Sequence, residues 1–182
     1  AYKNGDIESI HGISPKELGN LDIPSENILL SPLPRIFGLF FNQNIAPVLV
    51  YKEVRSALDV AVDKQAIIDA VLGGYGQTID SPVPTKTLGT VKSVASTTNN
   101  IEKAKSILTA KGWKQNEDGI FQKKEAKSTV TLSISISTGD APELKDAAYL
   151  LAEQWRKIGA NVAVKIFDIG DLNQNIIHFV FN

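Results

Sequence analysis

Cysteine is absent from this 182-residue chain, and so is methionine. The first absence excludes disulfides, thiolate metal sites and a cysteine nucleophile. It also suits an exported protein. The second leaves no initiator, so the expectation is a processed product or a fragment. Histidine is scarce: only His11 and His178 could serve a histidine-dependent catalytic centre. No charge sign dominates, with 19 basic and 20 acidic residues and a net charge of −1. Nothing in that total favours a nucleic-acid partner or a membrane surface. No signal peptide is visible, and no apolar run approaches the roughly 20 residues that span a bilayer. The longest apolar cluster, "IFGLFFN" at 36–42, reads as a buried strand.

What is present is an ordinary globular composition, 43% hydrophobic and 21% charged, in a length that suits one sizeable domain, or one domain with an appended piece of another. There is no internal repeat. The first 35 residues are broken by Pro15, Pro24, Pro32 and Pro34. Ile7 and Ile10 suggest a short strand. "SPKELGNL" suggests a short helix, with Ser14 as N-cap and Pro15 in its first position. "SPLPR" at 31–35 reads as an extended connector and a boundary between structural units. "RIFGLFFN" then reads as a strand and "NQNIAPVLVYK" as a loop.

"EVRSALDVAVDKQAIIDAVLGGYG" at 53–76 reads as two helices. Val54, Leu58 and Ala61 share one face of the first. Asp63 is placed to cap the second, with Ile67, Ile68, Val71 and Leu72 turned inward and Gly73 and Gly74 ending it. A phosphate-binding loop would need the glycines to follow a strand and open a helix. Here they follow a helix and precede "QTIDSPVP", so they read as a helix stop. Arg55 reads as a structural partner near the junction of the two helices.

Beyond the proline-punctuated loop at 81–89, "NNIEKAKSILTAKGW" is a helix capped by Asn100, striped by Ile101, Ala104 and Leu108, and ended by Gly112. "WKQNEDGIFQKK" reads as a hairpin turning at Asp118-Gly119. "VTLSISIS" alternates without a fault, with Val130, Leu132, Ile134 and Ile136 on one face. A helix with Asp140 as cap follows, carrying Leu144, Ala148, Leu151, Trp155 and Ile158 as its stripe and Gly159 as its stop. "NVAVKIF" alternates again. Strand, helix and strand in that order predict a parallel pair with a right-handed crossover. The fold class is α/β with a mixed sheet.

The chemistry-bearing residues form no catalytic constellation. His11 and His178 each read as surface or partly buried histidines rather than triad members. "DIGDLNQN" at 168–175 clusters Asp168, Asp171 and Asn173, but its spacing is wrong for a calcium loop and the terminal glutamate is missing. Asp171 reads as a helix cap, and no metal or cofactor is expected. The acids Glu102, Glu117, Asp118 and Glu153 fall on helix faces or turns, and nothing pairs any two of them. Exposed aromatics point modestly to binding.

The order "FFNQN", "VRSALDVAVDKQAIIDAVLGGYG", "SPVP", "NNIEKAKSILTAKGW", "TLSISIS" and "AAYLLAEQWRKIGANVAVKIFD" resembles the extracellular solute-binding proteins of family 5, the oligopeptide- and dipeptide-type receptors of ABC importers. The matches run over residues 39–167, and "YKNGDIESIHGISPKEL" is similar to the family segment that ends the first lobe. The resemblance implies a type II periplasmic-binding-protein-like fold of two α/β lobes hinged around a solute. Residues 1–36 would be the end of the first lobe and the crossover. Residues 37–182 would be the second lobe, truncated at its C-terminus, because the family's aromatic and acidic solute-contacting segment is absent or altered in "NIIHFVFN". The resemblance further implies His11, Arg35, Phe40 and Asn42 as solute-facing residues. Phe40 keeps a competing reading as a core side chain. Asp63, Gly73, Gly74, Gly112 and Gly159 are structural. The implied partners are a small solute, a peptide by default, and the ABC permease of the parent transporter. The chain itself is expected to be monomeric, non-enzymatic and extracytoplasmic, periplasmic or lipid-anchored. The competing classes are a protein-interaction domain without a small ligand and a fragment of an α/β hydrolase or transferase.

Overall fold

The computed structural model describes residues 1–29, 36–79 and 100–168. Ser14 opens the short helix α1 (Pro15–Leu18) through a capping box: its hydroxyl accepts from the Glu17 amide, and the Glu17 carboxylate accepts from the Ser14 amide. A 3₁₀ turn over Pro47–Val50 leads into α2 (Lys52–Val60), whose Val54, Ala57 and Leu58 are fully buried, as is Ala61 just beyond it. The Asp63 carboxylate accepts from the Ala66 amide at 2.9 Å and caps α3 (Lys64–Leu72). That helix ends at Gly73, in the left-handed region at φ 55°, with Gly74 following at φ 82°. Asn100 caps α4 (Ile101–Ala110), which buries Ala104 and Leu108 and ends before Gly112 at φ 85°.

The strands divide between two sheets. Strands β1 (Lys114–Gln115), β2 (Phe121–Lys124) and β3 (Thr129–Thr131) form an antiparallel sheet. Asn116 organises its first turn by accepting from the amides of Asp118 and Ile120, with Gly119 at φ 76°. β4 (Ser133–Gly139) and β5 (Asn161–Phe167) pair in parallel around α5 (Pro142–Lys157), the expected strand–helix–strand unit. The faultless alternation at 130–137 therefore serves both sheets, β3 in one and β4 in the other. Leu132, between them, donates to the Phe121 carbonyl at 2.7 Å and accepts from the Asn161 amide at 2.9 Å. The same seam carries a bond from the Phe121 amide to the Gly159 carbonyl.

Buried side chains from α2, α4, α5 and both sheets make one core, centred on Leu58, Leu108, Trp113, Leu132, Trp155 and Ile158. Two buried side chains of α5 pin the other helices. Trp155 Nε1 donates to the Leu58 carbonyl, and Gln154 accepts from the Asp63 amide at 2.8 Å at the junction of α2 and α3.

Four expectations need correction. Residues 7–10 and 36–42 form no strand, because among the described residues no neighbouring chain offers them a ladder. Asp140 does not cap α5. Pro142 occupies the first turn, which puts Ala141 at the cap position without a side-chain bond. Ile67, Ile68, Val71 and Leu72 are only half-buried, since α3 packs chiefly on α5 and one flank stays open. Arg55 supports the preceding turn rather than the helix junction: its guanidinium donates to the carbonyls of Leu49 and Val50.

Candidate functional site

Large apolar side chains stand exposed in the N-terminal 45 residues. They include Ile7, Ile10, Leu29, Ile36, Phe37, Leu39, Phe40 and Ile45. The described residues from 46 onward contribute only Val50, Tyr75 and Tyr149. A body whose apolar residues are buried thus carries a segment with many exposed apolar residues, and that segment holds all four expected solute-facing residues, three of them among the described residues.

His11 is exposed, next to Gly12 at φ 70°. Three residues later α1 begins, and Pro15 packs against the end of α3: a β-carbon on Gly73 would lie 3.1 Å from the Pro15 Cβ. His11 is thereby tethered near the glycine turn of α3. Phe40 is 92% exposed in this chain. Its neighbour Phe41 stacks on Trp155, with ring centroids 6.2 Å apart and planes 24° apart. Asn42 is half-buried, and its Oδ1 accepts from the amides of Asn44 and Ile45 at 3.0 and 3.2 Å. This is a local side-chain turn. No hydrogen bond or ring contact joins His11, Phe40 and Asn42 to one another among the described residues. Arg35 lies outside the described residues, as do His178, Asp171, Asn173 and the loop at 81–89. No group of three or more His, Asp or Glu side chains among the described residues is placed to hold a metal ion.

A half-buried polar cluster lies elsewhere and has no sequence signal, because its hydrogen-bonded pairs are 60 to 74 residues apart. Lys123 Nζ sits 4.9 Å above the Tyr51 ring and 5.9 Å above the Trp113 ring, and 3.0 Å from Glu53 Oε1. Tyr51 and Trp113 meet edge to face at 5.5 Å. Trp113 Nε1 donates to Glu53 at 3.3 Å, and the Tyr51 hydroxyl donates to Glu125. Burial alone would raise the Glu53 pKa. The bonds from its own amide, Lys123 and Trp113, together with the Lys123 charge, outweigh that and hold its carboxyl below the ordinary value. The bond to Glu125 raises the Tyr51 pKa. The cation is stacked and paired by the protein itself, so this cluster is a clasp between the start of α2 and the antiparallel sheet.

Residues 1–176 match the family described as "Bacterial extracellular solute-binding proteins, family 5 Middle". The oligopeptide-binding protein AppA of Bacillus subtilis (strain 168) is 34% identical over 121 residues, 64% of this chain and 22% of that protein. Its structure in complex with a nonapeptide matches with a TM-score of 0.65 and 30% identity, over 74% of this chain and 26% of that one. The nickel-binding protein NikA of Staphylococcus aureus (strain NCTC 8325 / PS 47) is 31% identical over 122 residues, 66% of this chain and 22% of that protein. NikZ from Campylobacter jejuni in complex with Ni(L-His) gives a TM-score of 0.64 at 28% identity, over 74% of this chain and 27% of that one. The chain thus spans about a fifth of the length of the curated relatives it matches. These relatives are binding proteins, not enzymes.

Proposed function

The chain belongs to the bacterial extracellular solute-binding proteins of family 5, and from that membership we propose that it is the second-lobe part of a two-lobed receptor that delivers a solute, a peptide by default, to an ABC importer. The match over residues 1–176 carries this reading. Relatives named for oligopeptides, di- and tripeptides, nickel and heme share the scaffold. The scaffold therefore supplies lobe and hinge, while the solute is chosen by pocket residues contributed largely from elsewhere in the receptor. The readings as a hydrolase or transferase fragment, or as an interaction domain without a ligand, are not favoured by relatives of this kind.

Within the proposal, residues 1–36 end the first lobe and cross over, and residues 37–182 build the second lobe. Exposed apolar side chains lie on both sides of that boundary up to residue 45, and they suit a segment covered by the rest of a larger receptor. His11, Arg35, Phe40 and Asn42 face the solute from the crossover segments. The protein binds and does not catalyse. It works outside the cytoplasmic membrane, periplasmic or lipid-anchored, as a monomer that docks on its permease. Among the described residues no helix is long and apolar enough to cross a membrane.

Calorimetric titration of the complete receptor with peptides of two to about nine residues, and separately with a nickel–histidine complex, tests the reading. Saturable binding of peptides supports it. Binding of the nickel complex alone would reassign the solute within the same function, and no binding of any solute would overturn the function.

A further inference from the structure

The near-zero net charge of the whole chain conceals a local segregation. Residues 103–127 hold seven lysines, at 103, 105, 111, 114, 123, 124 and 127, against three acids, Glu117, Asp118 and Glu125. The antiparallel sheet sorts these charges by face. Phe121 is buried, and Lys123, two residues on, points the same way over Tyr51 and Trp113. Gln122 and Lys124 therefore occupy the opposite face. Lys114 pairs with Gln122, so it shares that outer face and stands diagonally from Lys124. Thr129 and Thr131, opposite Lys124 and Gln122, are exposed and complete an outer face without a carboxylate. Lys111, three residues before Lys114, and Lys127, in the turn between β2 and β3, are exposed at the same end of the sheet. Two of the acids, Glu117 and Asp118, sit in the turn at the other end. The third, Glu125, accepts the Tyr51 hydroxyl, and Glu102 is paired with Lys105. None of Lys111, Lys114, Lys124 and Lys127 makes an ion pair among the described residues.

We infer that the outer face of this sheet, Lys111, Lys114, Lys124 and Lys127, is a contact surface for the anionic headgroups of a lipid bilayer. Four lysines standing on and beside one small sheet present a single-sign surface, and a layer of anionic headgroups carries the opposite sign. Bare side-chain ammonium groups with no acid partner lose least on meeting such a layer. The face has no exposed aromatic to stack a base, which disfavours single-stranded nucleic acid. The choice of a bilayer over other polyanions rests on the proposed work outside the cytoplasmic membrane. The contact is electrostatic, shallow and reversible, and salt weakens it.

The test is co-sedimentation of the complete receptor, made without lipidation, with vesicles of phosphatidylcholine alone or with about a third phosphatidylglycerol, at low and high salt. Wild type should pellet with anionic vesicles at low salt, and neither with neutral vesicles nor at high salt. Lys114→Gln with Lys124→Gln should lower the partition coefficient at least tenfold, taking about fivefold per lysine near an anionic surface. Arginine at both positions should restore it. Unfolding midpoints of all variants should match wild type, because these side chains are exposed. Equal partition of wild type and glutamine variant overturns the inference, as does binding to neutral vesicles. Tighter binding to polyglutamate than to anionic vesicles would assign the face to an acidic protein instead. Solute titration of the same samples keeps the two proposals apart, since loss of vesicle binding with solute affinity intact would sink only this one.

Discussion

Gly159 lies so close to Gly119 that a β-carbon on it would stand 2.7 Å from the Gly119 carbonyl oxygen and 3.0 Å from the Phe121 ring. The same residue has φ 89°, where any L side chain is strained. Gly112 has a similar φ of 85° but open space around its missing β-carbon. Alanine at position 112 should therefore cost about 1–2 kcal/mol, the conformational part alone. Alanine at 159 should cost at least about 1 kcal/mol more, because the neighbour is backbone and cannot step aside. Denaturant unfolding of both variants measures the difference. Equal losses would mean that the close approach does not constrain the fold.

Gln154 reaches across from α5 to the amide of Asp63, and Asp63 in turn caps α3. Asp63→Ala removes the cap and should cost about 1 kcal/mol. Gln154→Leu keeps the volume but leaves the Asp63 amide without its partner, and should cost about 1–3 kcal/mol. Because both changes act on one joint, the double variant should lose less than the sum, as a double-mutant cycle would record. Strict additivity would separate the two interactions.

The clasp around Lys123 predicts a pH dependence. Glu53 is held below its ordinary value of 4.5 in the folded state. Its stabilisation is therefore complete above the unfolded carboxylate range and is lost as pH falls through the folded value. The thermal midpoint of wild type should drop more steeply from pH 5 downward than that of Glu53→Gln, which has no such proton to take up. Parallel profiles would exclude the clasp as an acid-sensitive contact. At the alkaline end the sign reverses. The raised Tyr51 keeps its contribution below its ordinary value of 10 and loses it as pH climbs through the folded one, and Tyr51→Phe should flatten that limb.

Adjacent phenylalanines differ in exposure, and with the proposed solute role of Phe40 they predict different outcomes on truncation. Phe40→Ala should leave the unfolding midpoint within about 0.5 kcal/mol of wild type, since the ring is exposed. It should weaken solute binding by the complete receptor about tenfold, in keeping with an exposed aromatic at the proposed interface. Phe41→Ala removes the stack on Trp155 and should cost about 2–4 kcal/mol of stability. Reversal of this pattern would exchange the two residues between core and solute surface.

Much of the packed body was legible in the sequence because its signals are local. Ser14, Asp63 and Asn100 cap helices as their spacing to the next amides implies, and Gly73, Gly112 and Gly159 adopt positive φ where helices stop. The alternation at 130–137 placed the inward face correctly but not the passage from one sheet to the next at Leu132, because period two says nothing about which neighbour a strand takes. "IFGLFF" misled for a related reason: apolar composition signals burial, but the covering partner is not among the described residues. The Tyr51–Glu53–Trp113–Lys123 clasp was out of reach, since no local pattern brings residues 60 or more apart together.

Leu132 has the further consequence that the two sheets are wired in series. Its amide belongs to the hairpin side and its carbonyl to the parallel pair. A disturbance that opens one pulls on the other's hydrogen bonds through Leu132 and through the Phe121–Gly159 bond beside it. In hydrogen exchange the amides of β2, β4 and β5 should therefore respond as one cooperative block, while residues 7–13, which make no backbone hydrogen bond among the described residues, exchange freely. A body that yields only as a whole can be swung about its connecting segments without its interior taking up the motion.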